Sequence, residues 1–119
     1  MANEEQLKIL KSGVQVWNKW REENPEIKID LRKADLRIAR LRGANLAEAN
    51  LDRADLVGAD LSLVNLNGTC LNVADLLRAN LSGATLVRAE LIRSHLIMAN
   101  FTDADFSGAY LITVGSLKF

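Results

Sequence analysis

The chain has 119 residues, 49% hydrophobic and 25% charged, which fits one domain with its own core. Fifteen basic and fifteen acidic residues cancel, so we predict no general attraction to nucleic acid or to an anionic membrane. A single cysteine excludes an internal disulfide, and neither a signal peptide nor a transmembrane run of apolar residues is evident. We therefore expect a cytoplasmic protein.

The first predicted element is an amphipathic helix over residues 3–23. Asn3 and Gln6 fit a capping box at its start. Hydrophobic residues then recur at helical spacing on one face: Leu7, Leu10, Val14, Trp17 and Trp20. Gly13 within the helix costs about 1 kcal/mol relative to alanine, and Asn24 with Pro25 ends it. We expect residues 1–26 to form an N-terminal helical cap.

A period of five residues dominates the chain from residue 27 to residue 113. A leucine or phenylalanine, the centre of each repeat, stands at every fifth position from Leu31 to Leu111, seventeen times in all. Two positions before each centre the residue is usually alanine, and the residue directly before it is most often Asp or Asn. Neither the 3.6-residue period of a helix nor the alternation of a strand fits this pattern. A chain that turns a corner every five residues does fit, with the small residue and the centre pointing inward.

This pattern of alanine, Asp or Asn, leucine and two variable residues resembles the pentapeptide-repeat family. The segment Trp17 to Pro25 before the first repeats is also similar to small cyanobacterial members with a helical cap. The resemblance implies an all-β solenoid, a right-handed quadrilateral β-helix with four pentapeptides per coil. Seventeen repeats then give a little over four coils, beneath an N-terminal α-helical cap.

The two ends of a solenoid need covers, because the end coils otherwise expose their core. The helix would cover the first coil, whereas Phe101 and Phe106 enlarge the core of the last one, and the period stops at Ser116. Either the tail, residues 114–119, folds across the last coil, or a second copy of the chain covers it. The residues that could make this C-terminal end contact are Phe101, Phe106, Leu111, Leu117 and Phe119.

No group of residues indicates catalysis, a cofactor or a metal. His95 is the only histidine, and no phosphate-binding loop is present. Asp35, Asp55, Asp75 and His95 stand twenty residues apart and would stack in a column that a divalent cation could bridge. Asp and Asn side chains at corners more often bond to nearby backbone amides, however. We expect no catalytic, cofactor-binding or metal residues.

Two surface features have both an ordinary and a functional interpretation. Cys70 replaces the usual Asp or Asn before Leu71, so it should face outward, as an inert surface thiol or as a reactive one. Basic residues crowd the first coil, where they could bind an acidic partner or phosphate, or form a solvated rim that pairs with Glu22, Glu23 or Glu26 of the cap. These basic residues are Arg32, Lys33, Arg37, Arg40 and Arg42.

Hydrophobic residues at positions expected to face water form the main candidate site. Assignment by position in a twenty-residue coil places five of them in two neighbouring columns and the sixth, Met98, directly beside these columns. The six residues are Val57, Leu77, Ile92, Ile97, Met98 and Ile112. Branched residues suit extended segments wherever they point, but an asymmetric apolar patch indicates an interaction surface. We predict that this patch binds an unknown protein partner or a second copy of the chain.

These features favour a non-catalytic scaffold or protein-interaction module. The resemblance implies one alternative, a topoisomerase-binding mimic of DNA like the gyrase-protecting members of the family. Acidic and basic residues nearly balance in the repeat region, and a rod of about four coils is only roughly 20 Å long. Both properties disfavour the alternative, because a mimic of DNA needs a strongly negative surface and a longer rod.

Overall fold

The computed structural model describes residues 1–112 of the chain. The tail predicted for residues 114–119 lies outside the described residues, and so do Ser116, Leu117 and Phe119.

Two helices form the N-terminal cap: α1, Glu4–Lys11, and α2, Val14–Glu23. The prediction of one continuous helix over residues 3–23 is therefore wrong. Gly13 stands between the helices with φ at 135°, a conformation outside the helical range that glycine adopts without a Cβ clash. The predicted cap at Asn3 is confirmed in part, because its Oδ1 accepts the Gln6 N–H at 3.0 Å. The Gln6 side chain does not complete a capping box and bonds to the first coil instead.

The break lets both helices rest on the first coil. Leu10 of α1 and Trp17 of α2 are almost fully buried, while Leu7, Val14 and Trp20 are partly buried against the core. The Trp17 indole N–H donates to the Asn45 carbonyl oxygen at 2.8 Å. The predicted cap thus covers the first coil through an aliphatic and an aromatic anchor.

Residues 29–112 form a stacked coil with four corners per turn. Its β-bridges are parallel and join residues twenty apart, from Asp30–Asn50 to Glu90–Tyr110. A turn recurs every five residues, as where the Ala34 N–H donates to the Leu31 carbonyl oxygen at 3.1 Å. Within residues 1–112 the extended segments pair only through isolated bridges, and none of them is long enough to count as a strand. Four pentapeptides per coil follow from this register, while the right-handed sense stays a prediction.

Every corner uses the left-handed region of backbone space. From Lys33 to Gly108, every fifth residue has a φ between +54° and +75°. This conformation costs an L-residue roughly 1–2 kcal/mol, and it is least suited to β-branched side chains such as those of Ile38 and Val73. The corners are therefore maintained by the stacking of the coils, since most of the residues there do not favour this conformation.

The core is the narrow interior predicted from the five-residue period. All centres from Leu31 to Leu96 are at most 4% exposed, and the alanines two positions before them are mostly buried too. Thr69 and Ser94 replace alanine without leaving a polar atom unpaired. The Thr69 hydroxyl donates to the Leu46 carbonyl oxygen, and the Ser94 hydroxyl to the Leu91 carbonyl oxygen, both at 2.8 Å. The inward-facing positions were thus predicted correctly for the centre and for the small residue.

Candidate functional site

The predicted apolar patch divides into an exposed and a half-buried part. Ile97, Met98 and Ile112 are 63%, 64% and 63% exposed. Val57, Leu77 and Ile92 are less exposed and are half-buried, because each lies between two neighbours in its column, one twenty residues earlier and one twenty residues later. We call the exposed part, Ile97, Met98 and Ile112, the apolar surface.

The same columns place the apolar surface near the C-terminal end of the coil. The Arg78 N–H donates to the Ile97 carbonyl oxygen at 3.0 Å, which aligns Ile97 with Leu77 one coil earlier. Phe101 and Phe106 follow in the next two repeats and are partly buried, with ring centroids 4.9 Å apart in an edge-to-face arrangement. Leu111 is 37% exposed. Of the residues predicted for the end contact, Phe101 and Phe106 therefore contact each other and Leu111 is exposed, whereas Leu117 and Phe119 lie outside the described residues.

The carboxylate column exists, but its charges are already partnered. Parallel bridges align Asp35, Asp55, Asp75 and His95. Arg37 contacts two of the carboxylates, Asp35 at 2.9 Å and Asp55 at 3.6 Å. The Oδ1 atoms of Asp55 and Asp75 each accept a backbone N–H from two residues further along the chain, at 3.1 Å. The expected corner hydrogen bonds are confirmed, and no group of three or more potential metal ligands occurs within residues 1–112.

Arg37 is expected to control the acidity of Asp35. Its hydrogen bonds and charge lower the pKa of the Asp35 carboxyl group from 3.8 to about 2. We expect Arg37→Ala to raise this pKa toward its ordinary value, while the backbone N–H of residue 37 keeps part of the depression. An NMR titration of the side-chain carboxyl carbon would measure the change. A depressed folded-state pKa stabilises the fold above pH 3.8, and that contribution is lost as the pH falls through about 2. The unfolding midpoint in urea should therefore fall less steeply over this range in the variant.

Arg32→Ala provides the matched control for this titration. Arg32 bonds to Asp30 at 2.8 Å in the same way that Arg37 bonds to Asp35, and it lowers the pKa of Asp30. The control should raise the pKa of Asp30 and leave that of Asp35 unchanged. An unchanged Asp35 pKa in Arg37→Ala would contradict the assignment.

Cys70 is half-buried in the described structure, less exposed than the outward position predicted for it. Its column neighbours are Asn50 and Glu90. Burial raises the pKa of the Cys70 thiol above its ordinary value, with a smaller contribution from nearby carboxylates. A raised pKa reduces the thiolate fraction at neutral pH, which favours the inert interpretation of this cysteine.

The basic residues of the first coil pair mostly with the coil itself. Arg32 and Arg37 hold the corner aspartates beside them, and Arg42 donates to the Ser62 hydroxyl at 3.1 Å. Ser62 is buried, although its position was expected to face water. Within residues 1–112, no carboxylate lies within 4.0 Å of the Lys33 or Arg40 side-chain nitrogens, and the expected pairing with cap glutamates is not formed.

Polar side chains of the cap and a cleft beside it are features that sequence reasoning missed. Gln6, Asn18 and Arg21 bond to backbone atoms of the first coil. A separate cleft of about 790 Å³ lies between the cap and two sides of the first coil. It is lined by Leu10, Lys11, Gly13, residues 35–41 and Val57. The polar positions on the predicted helix were the only available signal, and they are also typical of a solvent-facing surface.

The described part of the chain contains no helix that is both long and apolar enough to cross a membrane.

Comparison with known proteins gives a family match that covers most of the repeat. The model of pentapeptide repeats matches residues 29–68 and 74–111. A comparison with proteins of curated function gave no match.

Three solved structures illustrate the similarity, and their TM-scores are too low to carry an argument about function. Rfr23 from the cyanobacterium Cyanothece 51142 is 33% identical, with 69% of this chain and 59% of that protein covered and a TM-score of 0.39. Alr5209 from Nostoc Pcc 7120 is 34% identical, with 67% and 62% covered and a TM-score of 0.38. HetL from Nostoc sp. strain PCC 7120, described as involved in heterocyst differentiation regulation, is 30% identical, with 71% and 56% covered and a TM-score of 0.25.

The matched part of this chain spans less than two thirds of each of these three proteins. The expected similarity to cyanobacterial members is confirmed. The family model covers more than half of the chain, and the coil has the twenty-residue register that four five-residue repeats produce. On these grounds the chain belongs to the pentapeptide-repeat family.

Proposed function

We propose that this protein is a non-catalytic interaction module that binds another protein chain through the apolar surface. The observation that carries the proposal is the exposure of Ile97, Met98 and Ile112, each more than 60% open to solvent. Soluble monomers rarely leave large contiguous aliphatic patches exposed unless these serve an interaction. Burying one such side chain contributes roughly 1.5–3 kcal/mol, so three together can support a specific contact.

The position of the apolar surface also suits a binding role. The coil beneath it is rigid, because a backbone ladder connects each repeat to the repeats twenty residues away. A rigid scaffold loses little conformational entropy on binding. Leu77 and Ile92 continue the same columns and extend the apolar character at half exposure. The chain's formal net charge of zero gives no support to the alternative role as a mimic of DNA.

A charge placed on the apolar surface tests the proposal. We expect Ile97→Asp and Met98→Asp each to abolish co-purification of the partner from the source cell, or dimerisation measured by sedimentation. Leu63→Asp is the matched control, because Leu63 is 54% exposed elsewhere on the coil and shares the positive φ of Met98. Aspartate tolerates that backbone conformation, so Met98→Asp and Leu63→Asp should both keep the circular dichroism spectrum of the parent.

The comparison between the variants decides the outcome. Loss of binding in the two apolar-surface variants, with binding retained in Leu63→Asp, supports the proposal. Unchanged partners and an unchanged oligomeric state in Ile97→Asp and Met98→Asp would overturn it.

A further inference from the structure

The first coil has a backbone edge that no earlier coil can satisfy. In the interior of the rod, the residue directly before each centre donates its backbone N–H to the preceding coil, as Asp55 does to the Ala34 carbonyl oxygen at 2.9 Å. The carbonyl of the same residue accepts from that coil, as from the Leu36 N–H to the Asp55 oxygen at 2.8 Å. The corresponding groups of the first coil face the cap and need other partners.

The cap supplies such partners on two of the four sides. On one side, the Asp30 N–H donates to Gln6 Oε1 and its carbonyl oxygen accepts from the Asn3 N–H, both at 2.8 Å. On another, the Asn45 N–H donates to Asn18 Oδ1 at 2.8 Å and its carbonyl oxygen accepts from Trp17. The polar side chains of α1 and α2 thus replace a missing coil on the sides of Asp30 and Asn45.

The two intervening sides remain open. Within residues 1–112, no protein group bonds to the backbone N–H or carbonyl of Asp35 or Arg40, or to the carbonyls of Arg37 and Arg42. These six groups keep the register that pairs with a neighbouring coil everywhere else in the rod. We call the sides of Asp35 and Arg40 the open edge.

The open edge forms one wall of the 790 Å³ cleft, and the charge of the cleft is positive. Lys11, Arg37 and Arg40 line it, against a single carboxylate, that of Asp35. Arg37 is held by Asp35 at 2.9 Å, whereas the described residues place no carboxylate within 4.0 Å of the Lys11 or Arg40 nitrogens. Ile38, 79% exposed, adds an apolar contact at the corner between the two sides. The cleft therefore combines unpaired backbone groups, an apolar corner and two available cations.

We propose that the open edge binds an acidic segment of a partner protein, which pairs in an extended conformation along the sides of Asp35 and Arg40 and bends at the corner between them. The segment would pair with the backbone groups of Asp35 and Arg40, a mode of recognition in which main-chain hydrogen bonds provide affinity. Lys11 and Arg40 would select for carboxylate side chains and accelerate association. The corner at Ile38 would pack against one aliphatic side chain of the segment.

This site is separate from the apolar surface. The open edge lies on the first coil, whereas Ile97, Met98 and Ile112 lie on the last coils. The variants that test the apolar surface leave the residues of the open edge unchanged. Either proposal can therefore fail without the other.

The test uses a fluorescein-labelled ten-residue peptide in which valine alternates with glutamate, titrated into the full chain at low salt. We expect saturable binding by anisotropy, with amide NMR shifts confined to the open edge, α1 and the corner at Ile38. A peptide with N-methyl groups on alternate residues should bind at least tenfold more weakly, because it lacks half of the main-chain donors. A peptide with glutamine in place of glutamate should bind about fivefold more weakly.

Matched charge variants of the protein complete the design. Arg40→Glu should weaken binding of the glutamate peptide at least fivefold, and Arg88→Glu, an equal charge change at an exposed position outside the cleft, should not. Binding that is insensitive to N-methylation would overturn the proposal, since it would be electrostatic attraction alone. No binding, amide shifts away from the open edge, or self-association of the chain through this edge would overturn it as well.

Discussion

Leu66→Ala should lower the free energy of unfolding by about 2–5 kcal/mol, the range for removal of a fully buried leucine side chain. Leu66 is completely buried in a middle coil. Its neighbours along the interior are other leucines and alanines that the backbone ladder holds in place. The cavity cannot collapse without breaking that ladder, so we expect a value in the upper half of the range. Urea unfolding followed by circular dichroism would measure it.

Leu111→Ala makes the same chemical change at the end of the rod and serves as the control. Leu111 is 37% exposed, so this substitution should cost less than about 1 kcal/mol. The denaturant dependence should also differ between the variants. Coils contact only their neighbours, so a weak middle coil can uncouple the two halves of the rod and lower the m-value. Equal destabilisation by the two substitutions would contradict the described core.

Trp17→Ala should cost about 3–5 kcal/mol, the second large effect that we expect. Trp17 is completely buried on the first coil, where its ring centroid lies 5.3 Å from that of Trp20. The substitution removes the aromatic anchor of α2 and the indole hydrogen bond to Asn45. Hydrogen exchange should then show faster exchange for the first-coil amides, while the last coils change little.

Trp17→Phe separates packing from hydrogen bonding at this site. Phenylalanine keeps most of the buried ring but cannot donate to the Asn45 carbonyl, which still accepts from Arg21 at 3.2 Å. We expect a cost of about 1–2 kcal/mol, combining one hydrogen bond with the smaller ring. If Trp17→Ala were no more costly than Trp17→Phe, the indole hydrogen bond would be the main contribution, and the packing argument would be wrong.

The interior of the coil could be predicted because its pattern is local and repeated. Each leucine centre and each small residue two positions earlier has the same environment, so the five-residue period alone assigned their inward direction. The patch prediction was less complete, since a column shields its inner members. Val57 and Leu77 lie between neighbours in adjacent coils, and of the three hydrophobic residues in that column Ile97 alone is widely exposed. The twenty-residue register predicts which side chains share a column, but the extent to which neighbours in a column shield one another is known only from the structure.

The cap was the least predictable part because its partners are distant in sequence. The hydrophobic spacing continues across Gly13, so nothing in the local pattern required a break there. The break follows from the shape of the coil on which α1 and α2 rest. Gln6 and Asn18 resembled solvent-facing residues, yet each bonds to backbone atoms more than twenty residues away. The cleft escaped prediction for the same reason, since it exists only where those side chains do not reach.

The twenty-residue register of the bridges also governs how this molecule can change in length during evolution. Deleting one pentapeptide would keep every leucine inside the rod, but it would rotate all later residues by one side of the coil. Deleting twenty residues would shorten the rod by a coil and restore each surface to its original direction. The angle between a basic N-terminal cleft and an apolar C-terminal surface is therefore adjustable in quarter turns, while the distance between them changes only in small steps. Variants of this chain that differ by whole pentapeptides would thus present its two proposed surfaces at different angles.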